Sequence, residues 1–372
     1  EIGSPIMELP RQTAAMRPWS DHEELLARSP EPTAILYGAI DEDDTIAYVL
    51  LERGANPPSS ILKALEPWKP LLENRSEIQR NNREWWETAW PRNRHQLSSP
   101  KVIALWRTDR GRFALDEAGA WRPGKKSTVV VHRTEVSPAP VAYLCGVLNS
   151  ELLDLWYAVR GKTPRDVWRN YEPKRMNEMP YRRAEGDSRA VRIAELVREI
   201  AANRRALLPH RTVVRDLGRI VKDPWKAGPA DIVRPALVGE LPKRDVVSVR
   251  LDSALSMEGS PAGKLHRERP DLLVFKRGRD ETGRVTGEAE RLELLAEILG
   301  ARSTDDVASV LLPKDLGEFS QLAKKRAKTV IDLLAEGRVK VEQVERLVCA
   351  LYGLPDDLTD AVVEHAVARA AR

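Results

Sequence analysis

Hydrophobic positions along the chain change repeatedly between strand-like and helix-like spacing. Apolar residues that recur every three or four positions predict amphipathic helices over Val141–Tyr157 and Arg189–Leu208. Short runs rich in β-branched residues, separated by glycine-containing turns, predict strands at Lys101–Leu105, Arg112–Leu115 and Thr128–His132. The pattern therefore predicts an α+β fold, with an irregular domain of short strands and helices at its centre.

The regions on either side of this centre continue both patterns. Towards the N-terminus, the pattern predicts strands at Thr33–Tyr37 and Thr45–Leu51, and a serine-capped helix that starts at Ile61 and ends at Pro67. The elements predicted beyond Trp225 are strands at Ile232–Val238, Val246–Leu251 and Leu272–Phe275, and helices at Arg291–Leu299, Phe319–Leu334, Val341–Leu351 and Thr359–Ala371. Gly337 and Gly353 stand where C-terminal helix caps belong, and Thr359 where an N-cap belongs.

Shifts in composition divide the 372 residues into four predicted segments. All ten tryptophans lie between Trp19 and Trp225, which separates the first part of the chain from the second. The predicted segments are an acidic N-terminal segment at 1–60, a tryptophan-containing domain at 61–225, a small β-containing region at 226–287 and a helical C-terminal module at 288–372. Because the chain begins at Glu1 without a methionine, we expect it to be the C-terminal part of a longer protein.

The net charge of only +4 conceals a strong asymmetry. Residues 1–60 hold 11 acidic side chains against 4 arginines, whereas residues 160–225 hold 17 basic against 9 acidic side chains. A basic excess in one segment is typical of proteins that bind polyanions. No apolar run approaches the roughly 18 residues of a membrane span and no signal peptide opens the chain, so we expect a cytoplasmic protein.

Two short motifs hint at catalysis but are incomplete. Asn56-Pro57-Pro58 is followed by Ser59, where amino-group methyltransferases have an aromatic residue, and we interpret it as the lead-in to a helix. Glu172-Pro173-Lys174 resembles half of a nuclease site but lacks an upstream Pro-Asp partner. The six histidines have no metal-ligand spacing, and Cys145 and Cys349 lie in apolar surroundings that favour a place in the core. We therefore expect no catalytic residue, metal site or cofactor in this chain.

Clusters of basic, amide and aromatic residues are the remaining candidates for chemistry. Lysine and arginine neutralise phosphate, and arginine and asparagine can also contact base edges in two places at once. The candidate DNA-binding residues are Arg75, Arg92, Arg94, Arg160, Lys162, Arg165, Arg169, Asn170, Lys174, Arg175 and Arg182. Lys162 and Lys174 suit phosphate, whereas Arg165, Arg169 and Asn170 suit base edges. Two plainer interpretations stay open: that Trp85, Trp86 and Trp90 pack inside, and that Arg169 pairs with Glu172 on the surface.

Several short motifs occur in an order and spacing typical of one family. They are Leu65-Glu-Pro-Trp-Lys-Pro-Leu-Leu-Glu-Asn-Arg75, Glu84-Trp-Trp86, Trp90-Pro-Arg92, Pro100-Lys-Val-Ile103, Arg112-Phe-Ala-Leu-Asp116, Tyr143-Leu-Cys-Gly-Val-Leu-Asn-Ser150 and Met179-Pro-Tyr181. Together they resemble the target-recognition region of TaqI-like and type IIG restriction-modification enzymes, which are adenine-specific DNA methyltransferases. Related regions occur in phage-defence methyltransferases. The resemblance covers residues 60–185, about a third of the chain.

The resemblance implies that residues 101–181, including Lys101, face double-stranded DNA. It also implies an N-terminal methyltransferase domain, outside this chain, that binds S-adenosylmethionine and methylates an adenine flipped from the duplex. We expect this chain to select the sequence around that adenine. Two alternatives remain: a stand-alone specificity subunit that recruits a separate methyltransferase, and a scaffold that binds RNA or another polyanion in phage defence.

Overall fold

The computed structural model divides the chain into two compact units. It describes residues 8–10, 26–42, 45–51, 54–80, 83–87, 98–123, 127–131, 140–160, 169–171, 173–183, 185–210, 234–239, 241–259, 264–301 and 307–370. Unit 1 comprises residues 1–206 and 339–370, and unit 2 comprises residues 207–338 and 371–372. The predicted α+β class is confirmed, because helices accompany five small sheets whose strand pairs are all antiparallel in the described ranges.

The sheets of unit 1 are short and few-stranded. One has the order β1-β3-β2, another the order β6-β4-β7, and β5 pairs with β8 in a two-stranded ribbon. The strands are β1 Glu8–Pro10, β2 Leu26–Pro30, β3 Thr45–Val49, β4 Lys101–Leu105, β5 Arg107–Thr108, β6 Phe113–Asp116, β7 Ser127–Val131 and β8 Arg169–Asn170. The central sheet confirms the three strands predicted between residues 101 and 132.

In chain order the helices before residue 208 are α1 Ser59–Leu65, α2 Lys69–Glu73, α3 Ser76–Arg80, α4 Val141–Asn149, α5 Glu151–Arg160, α6 Pro173–Met176 and α7 Ser188–Leu207. The buried helix α4 shares its hydrophobic core with α5, α7 and the second part of α10 (Leu316–Tyr352). A Cβ on Gly146 of α4 would lie 2.6 Å from Ile193 Cγ2 and 2.8 Å from Val197 Cγ2. Glycine at this position therefore permits the close contact between α4 and α7. Cys145 and Cys349 are both buried and unbridged, as their apolar surroundings predicted.

A single amide side chain fastens α4 to the central sheet. Asn149 accepts a hydrogen bond from the Phe113 N–H (3.0 Å) and donates to the Phe113 carbonyl (2.7 Å) and the Cys145 carbonyl (2.9 Å). These groups are buried, and a buried donor or acceptor without a hydrogen-bond partner lowers the free energy of unfolding by about 1–3 kcal/mol. Asn149 thus satisfies polar main chain at the point where helix and strand meet.

The predicted helix over Val141–Tyr157 is divided at Ser150. Ser150 is extended, and its hydroxyl accepts a hydrogen bond from the Leu153 N–H (3.3 Å), which makes it the N-cap of α5. The carboxylate of Glu345 accepts the Glu151 N–H (3.0 and 3.1 Å) from a helix 194 residues away. The Ser150 hydroxyl and the Glu345 side chain together accept main-chain N–H groups of the first turn of α5. A new helix can therefore begin here, which explains why one apolar run becomes two helices.

Unit 2 contains a four-stranded sheet of Greek-key order packed against helices. Its sheets have the orders β10-β13-β12-β11 and β14-β9. The strands are β9 Val246–Ser248, β10 Leu255–Gly259, β11 Lys264–Arg269, β12 Leu272–Arg277, β13 Asp280–Gly287 and β14 Leu311–Pro313. The helices are α8 Arg234–Val238, α9 Ala289–Ala301 and the first part of α10 Leu316–Tyr352. Leu273, Phe275 and Val285 of the four-stranded sheet share a core with Leu292 and Leu295 of α9.

Three helix boundaries differ from the prediction. Helix α10 runs without interruption past Gly337, which is buried inside it, so the two helices predicted at 319–351 are one. Helix α11 spans Asp356–Ala370, so Thr359 lies in its first turn, where its N–H donates to the Pro355 carbonyl over 2.9 Å. Helix α1 begins at Ser59, with Pro58 before it and no side-chain cap. Gly353 does end α10, with a φ of 73° and the Leu354 N–H bonded to the Cys349 carbonyl.

Two predicted strands are wrong, and eight of the described strands were missed: β1, β2, β5, β8, β10, β11, β13 and β14. Residues 32–34 form a 3-10 turn, and Gly38, at a φ of 74°, turns the chain so that Ile35 and Ile40 bridge each other. The described part of 232–238 is helix α8, because a short helix buries Leu237 and Val238 in the core of unit 2. The missed strands β10, β11 and β13 carry few buried side chains, so their hydrophobic alternation is weak.

The four predicted segments do not coincide with the two compact units. Residues 288–338 belong to unit 2 and residues 339–370 to unit 1, and the continuous helix α10 contributes to both. The second part of α10 supplies Val341, Val344 and Val348 to the core around α4. The division into four segments therefore stays a prediction based on composition. The structure itself consists of two compact units.

The amide of Asn149 provides a direct test of the junction between α4 and the sheet. We expect Asn149→Ala to lower the free energy of unfolding of unit 1 by about 1–3 kcal/mol, because the buried Phe113 N–H loses its acceptor while the Phe113 carbonyl still accepts from the Gly38 N–H. Urea denaturation followed by tryptophan fluorescence reports mainly on unit 1, because nine of the ten tryptophans fall within its residue ranges. Asn74→Ala is the matched control, because the Asn74 amide is exposed and donates only to the nearby Pro70 carbonyl. Equal effects of the two substitutions would contradict this role of Asn149.

Burial of Glu345 predicts a dependence of stability on pH. Burial raises the pKa of Glu345 to about 8, so the folded state holds this proton more tightly than the unfolded state does. The free energy of unfolding of unit 1 should therefore fall as pH rises from about 5 to about 8, by at most about 1.4 kcal/mol per pH unit. We expect Glu345→Gln to flatten that slope in urea titrations at several pH values. Glu364→Gln, the same change at an exposed position on α11 of unit 1, should leave the slope as it is in the wild type.

Candidate nucleic-acid interface

A two-stranded ribbon brings together two parts of the chain that are about 60 residues apart. In the ribbon formed by β5 and β8, Arg107 lies opposite Asn170 and Thr108 opposite Arg169. The Tyr171 N–H donates to the Trp106 carbonyl over 2.7 Å, which extends the pairing by one residue. The ribbon therefore places Trp106 and Arg107 beside Arg169 and Asn170, two of the candidate DNA-binding residues.

The ribbon is held by the buried carboxylate of Asp154 on α5. Asp154 Oδ2 lies 3.0 Å from Arg169 Nη2, and Asp154 Oδ1 accepts hydrogen bonds from the Tyr171 hydroxyl (3.0 Å) and the Gly111 N–H (2.9 Å). A Cβ on Gly111 would meet Phe113 Cε2 at 2.8 Å, so the loop after β5 can approach this carboxylate closely only with glycine there. One carboxylate thus ties the loop and both sides of the ribbon to α5.

Stacked tyrosines form the layer beneath the ribbon. The rings of Tyr157 and Tyr171 are stacked with centroids 4.4 Å apart, and Phe113 meets the Tyr171 ring edge-on at 5.3 Å. The Tyr157 hydroxyl donates to the Asn170 carbonyl. Burial, together with the nearby Asp154 carboxylate, raises the pKa of Tyr171 well above its ordinary value, so its hydroxyl stays protonated and remains a donor.

Outside this buried layer the ribbon exposes an indole and cations. Trp106 is 46% exposed, Arg107 is exposed, and Arg110 and Arg112 are partly exposed. Partial burial opposes ionisation of Asp109, but the Thr108 hydroxyl and Arg112 outweigh it and lower the pKa of Asp109. Asp109 is therefore an ionised neighbour of Arg112, with Oδ1 3.7 Å from Arg112 Nη2.

Arg169 is the clearest correction to the candidate site. Its side chain is buried, pairs with Asp154 and donates to the Asp109 carbonyl. A guanidinium suited to a base edge is equally suited to a carboxylate, and here the carboxylate lies within the fold. Glu172, the surface partner that we considered as the alternative, lies outside the described residues. Arg169 is therefore not placed to contact DNA.

Lys101 is a second correction, and for the same reason. It is 0% exposed, and its ammonium group pairs with Asp116, which also accepts the N–H groups of Ala120 (2.9 Å) and Trp121 (3.0 Å). Burial lowers the pKa of Lys101, which the hydrogen bond to Asp116 only partly offsets. The pair fixes the start of β4 to the end of β6, and it leaves Lys101 no access to a ligand.

The side chain of Arg75 is also hydrogen-bonded within the fold. Its guanidinium donates to the carbonyls of Leu72 (2.9 Å), Trp85 (2.9 Å) and Glu87 (3.0 Å). Trp86 is buried and Trp85 is half-buried beside Lys69, whose ammonium lies 5.5 Å from the ring centroid. The plainer interpretation of these tryptophans as packing residues is therefore correct for Trp86. Trp90, Arg92 and Arg94 lie outside the described residues, as do Lys162 and Arg165.

Three of the predicted cations lie close together at the end of α5. Arg175 Nη1 on α6 donates to the Arg160 carbonyl over 3.1 Å, so α6 abuts the C-terminus of α5. Arg160 and Lys174 are exposed there, and Arg175 is partly exposed. Cations at a helix C-terminus also interact favourably with its dipole. Asn170 is half-buried, and its carbonyl is the acceptor for Tyr157, so it contributes to the ribbon itself.

A second exposed basic segment is held by two tyrosine hydroxyls. The Tyr143 hydroxyl donates to the Arg182 carbonyl over 2.7 Å, and the Tyr352 hydroxyl donates to the Pro180 carbonyl. Burial raises the pKa of Tyr352 to about 12, so it remains a donor at neutral pH. The main chain of this tyrosine-held segment, residues 180–183, is therefore fixed from inside while the side chains of Tyr181, Arg182 and Arg183 are exposed.

Other candidate chemistry finds no support in the described residues. The Pro58 carbonyl accepts the N–H groups of Ile61 (3.0 Å) and Leu62 (3.2 Å), so Pro58 leads into helix α1. Within the described ranges, no three His, Cys, Asp or Glu side chains are grouped in a way that could hold a metal ion. The described helices also include none with the length and apolar character of a membrane span.

Comparison with known proteins adds no relative to these observations. No protein-family model matches the chain, and no curated protein resembles it significantly. Trp106 and Arg107 are the site residues that sequence reasoning missed. The available signal was a tryptophan and an arginine directly after a fully buried strand, a position that projects side chains from a rigid edge.

The buried pair predicts that Arg169 matters for stability rather than for binding. We expect Arg169→Ala to lower the free energy of unfolding of unit 1 by about 3–5 kcal/mol, because Asp154 is left as a buried charge without its cation. Lys174→Ala, an exposed change one element away, should alter stability little. Urea denaturation followed by tryptophan fluorescence compares the two. A fully stable Arg169→Ala protein would contradict the structural assignment.

Proposed function

We propose that unit 1 holds double-stranded DNA through the exposed cations of the ribbon, of the C-terminal end of α5 and of the tyrosine-held segment. The observation that carries this proposal is the exposed Trp106 and Arg107 on a ribbon whose own carboxylate, Asp154, is buried and paired. The Asp154 carboxylate is neutralised by Arg169 inside the fold, and the side chain of Arg107 on the ribbon surface is exposed to solvent. Such a surface suits a polyanion.

Rigid presentation of the cations supports binding rather than mere solvation. Main-chain hydrogen bonds fix Trp106 through Tyr171, and two tyrosine hydroxyls fix Pro180 and Arg182. Ordering a loop at an interface costs free energy on binding, and a main chain that is already fixed avoids much of that cost. A cation that merely solvates the surface needs no such support beneath it.

The class of nucleic acid and the wider role follow from the resemblance to target-recognition regions. The proposed role is to select the sequence around an adenine that a methyltransferase domain outside this chain methylates at its exocyclic nitrogen, in restriction-modification or phage defence. S-adenosylmethionine would be held by that domain. A cytoplasmic location belongs to the same proposal, because its substrate is chromosomal or phage DNA.

The proposal predicts salt-dependent binding to duplex DNA. If about 5–8 phosphates are neutralised, the slope of log affinity against log salt concentration should be about −5 to −7. Lys174→Ala and Arg182→Ala should each flatten the slope by about one unit and weaken binding to every duplex equally. Fluorescence anisotropy over a salt series measures both quantities. Lys63→Ala, an exposed lysine on α1, is the matched control and should leave the slope unchanged. A wild-type protein that binds no duplex at low salt would refute the proposal.

A further inference from the structure

Two tryptophans of unit 1 are strongly exposed among the described residues. Trp106 is 46% exposed and Trp68 is 43% exposed, so their indoles present similar areas to solvent. A large apolar ring left in water forgoes the free energy of burial, and such residues commonly mark binding surfaces. The two therefore form a matched pair whose surroundings can be compared.

The main chain at Trp106 is held more firmly than a surface turn requires. Trp106 follows the fully buried strand β4, and its carbonyl accepts the Tyr171 N–H over 2.7 Å. Tyr171 is itself 1% exposed and stacked on Tyr157. The indole thus projects from a rigid pivot, which lowers the entropy lost when the ring meets a flat partner.

Charge separates the surroundings of the two indoles. Residues 107–112, directly after Trp106, hold three arginines and one acid, Asp109, which gives this stretch a net charge of +2. Trp68 instead lies between Glu66 and Glu73, which share Lys69 at 4.0 and 3.8 Å. A polyanion is therefore attracted to the neighbourhood of Trp106, whereas the acids beside Trp68 repel it.

We infer that Trp106 stacks on an unstacked nucleobase, an inference that rests on the proposed binding of nucleic acid. An indole is a stacking platform for any base, and arginines beside it neutralise the adjoining phosphates. In an intact duplex both faces of each base are covered by its neighbours. The base that Trp106 meets is therefore one that has left the stack, at a bulge, a gap or a flipped position.

The inference is tested with the whole chain and two labelled duplexes that differ by a one-base bulge. We expect the wild type to bind the bulged duplex more tightly than the intact one. Trp106→Ala should weaken binding to the bulged duplex by about 5- to 100-fold, as expected for one stacked base, and leave the intact duplex within about twofold. Trp106→Phe should retain most of the preference, because a phenyl ring still stacks.

Trp68→Ala is the matched control and should change neither affinity. A direct readout comes from 2-aminopurine placed at the bulge, whose emission should change on binding to the wild type and to Trp68→Ala but not to Trp106→Ala. Unchanged urea denaturation of Trp106→Ala, whose ring is largely exposed, would show that the variant is folded.

The outcomes separate this inference from the proposed function. Duplex binding with no bulge preference, or with a preference that survives in Trp106→Ala, overturns the role of Trp106 and leaves the duplex-binding proposal standing. Binding to bulged or single-stranded DNA alone, lost in Trp106→Ala, supports stacking and refutes the duplex proposal. A protein that binds none of these nucleic acids at low salt overturns both.

Discussion

The exposed chemistry of unit 1 depends on the buried carboxylate of Asp154. An ionised carboxylate removed from water needs a cation or several donors, and Asp154 has Arg169, Tyr171 and Gly111. These three belong to a strand, the residue after it and a loop, so a single desolvated charge draws separate segments to one point. The position of the ribbon, and with it that of Trp106, follows from satisfying this charge.

Two further buried acidic side chains join distant segments, one through an ion pair and the other through a main-chain N–H. Asp116 joins β4 to the turn after β6 through Lys101 and two main-chain N–H groups, and Glu345 joins α10 to the start of α5. Each buried ion pair is neutral as a whole, so it removes one positive and one negative charge from the surface together. The burial of Arg169 and Lys101 therefore leaves the net charge that unit 1 carries on its surface unchanged.

The elements around the core were predictable from sequence, because their signals are local. The spacing of apolar residues predicted α7 and the strands between residues 101 and 132. The division at Ser150 and the continuity of α10 through Gly337 were not predictable from local sequence, because a distant carboxylate and tertiary packing decide them. Which arginines are buried was equally unpredictable from the sequence. Asp154 precedes Arg169 by 15 residues, and nothing in that spacing indicates contact.

The residue types that suit nucleic acid also suit the interior of this fold, and this is why the candidate site changed. Arginine binds a carboxylate with the same planar fork that reads a base edge, so composition alone cannot separate Arg169 from Arg182. The two arginines differ in the buried group that each contacts. The guanidinium of Arg169 pairs with the Asp154 carboxylate, whereas the contact of Arg182 with Tyr143 is made by its main-chain carbonyl. A tyrosine hydroxyl that binds the main chain leaves the guanidinium outside. In unit 1, buried acids therefore turn cations inward, and buried tyrosines hold the main chain of the cations that face out.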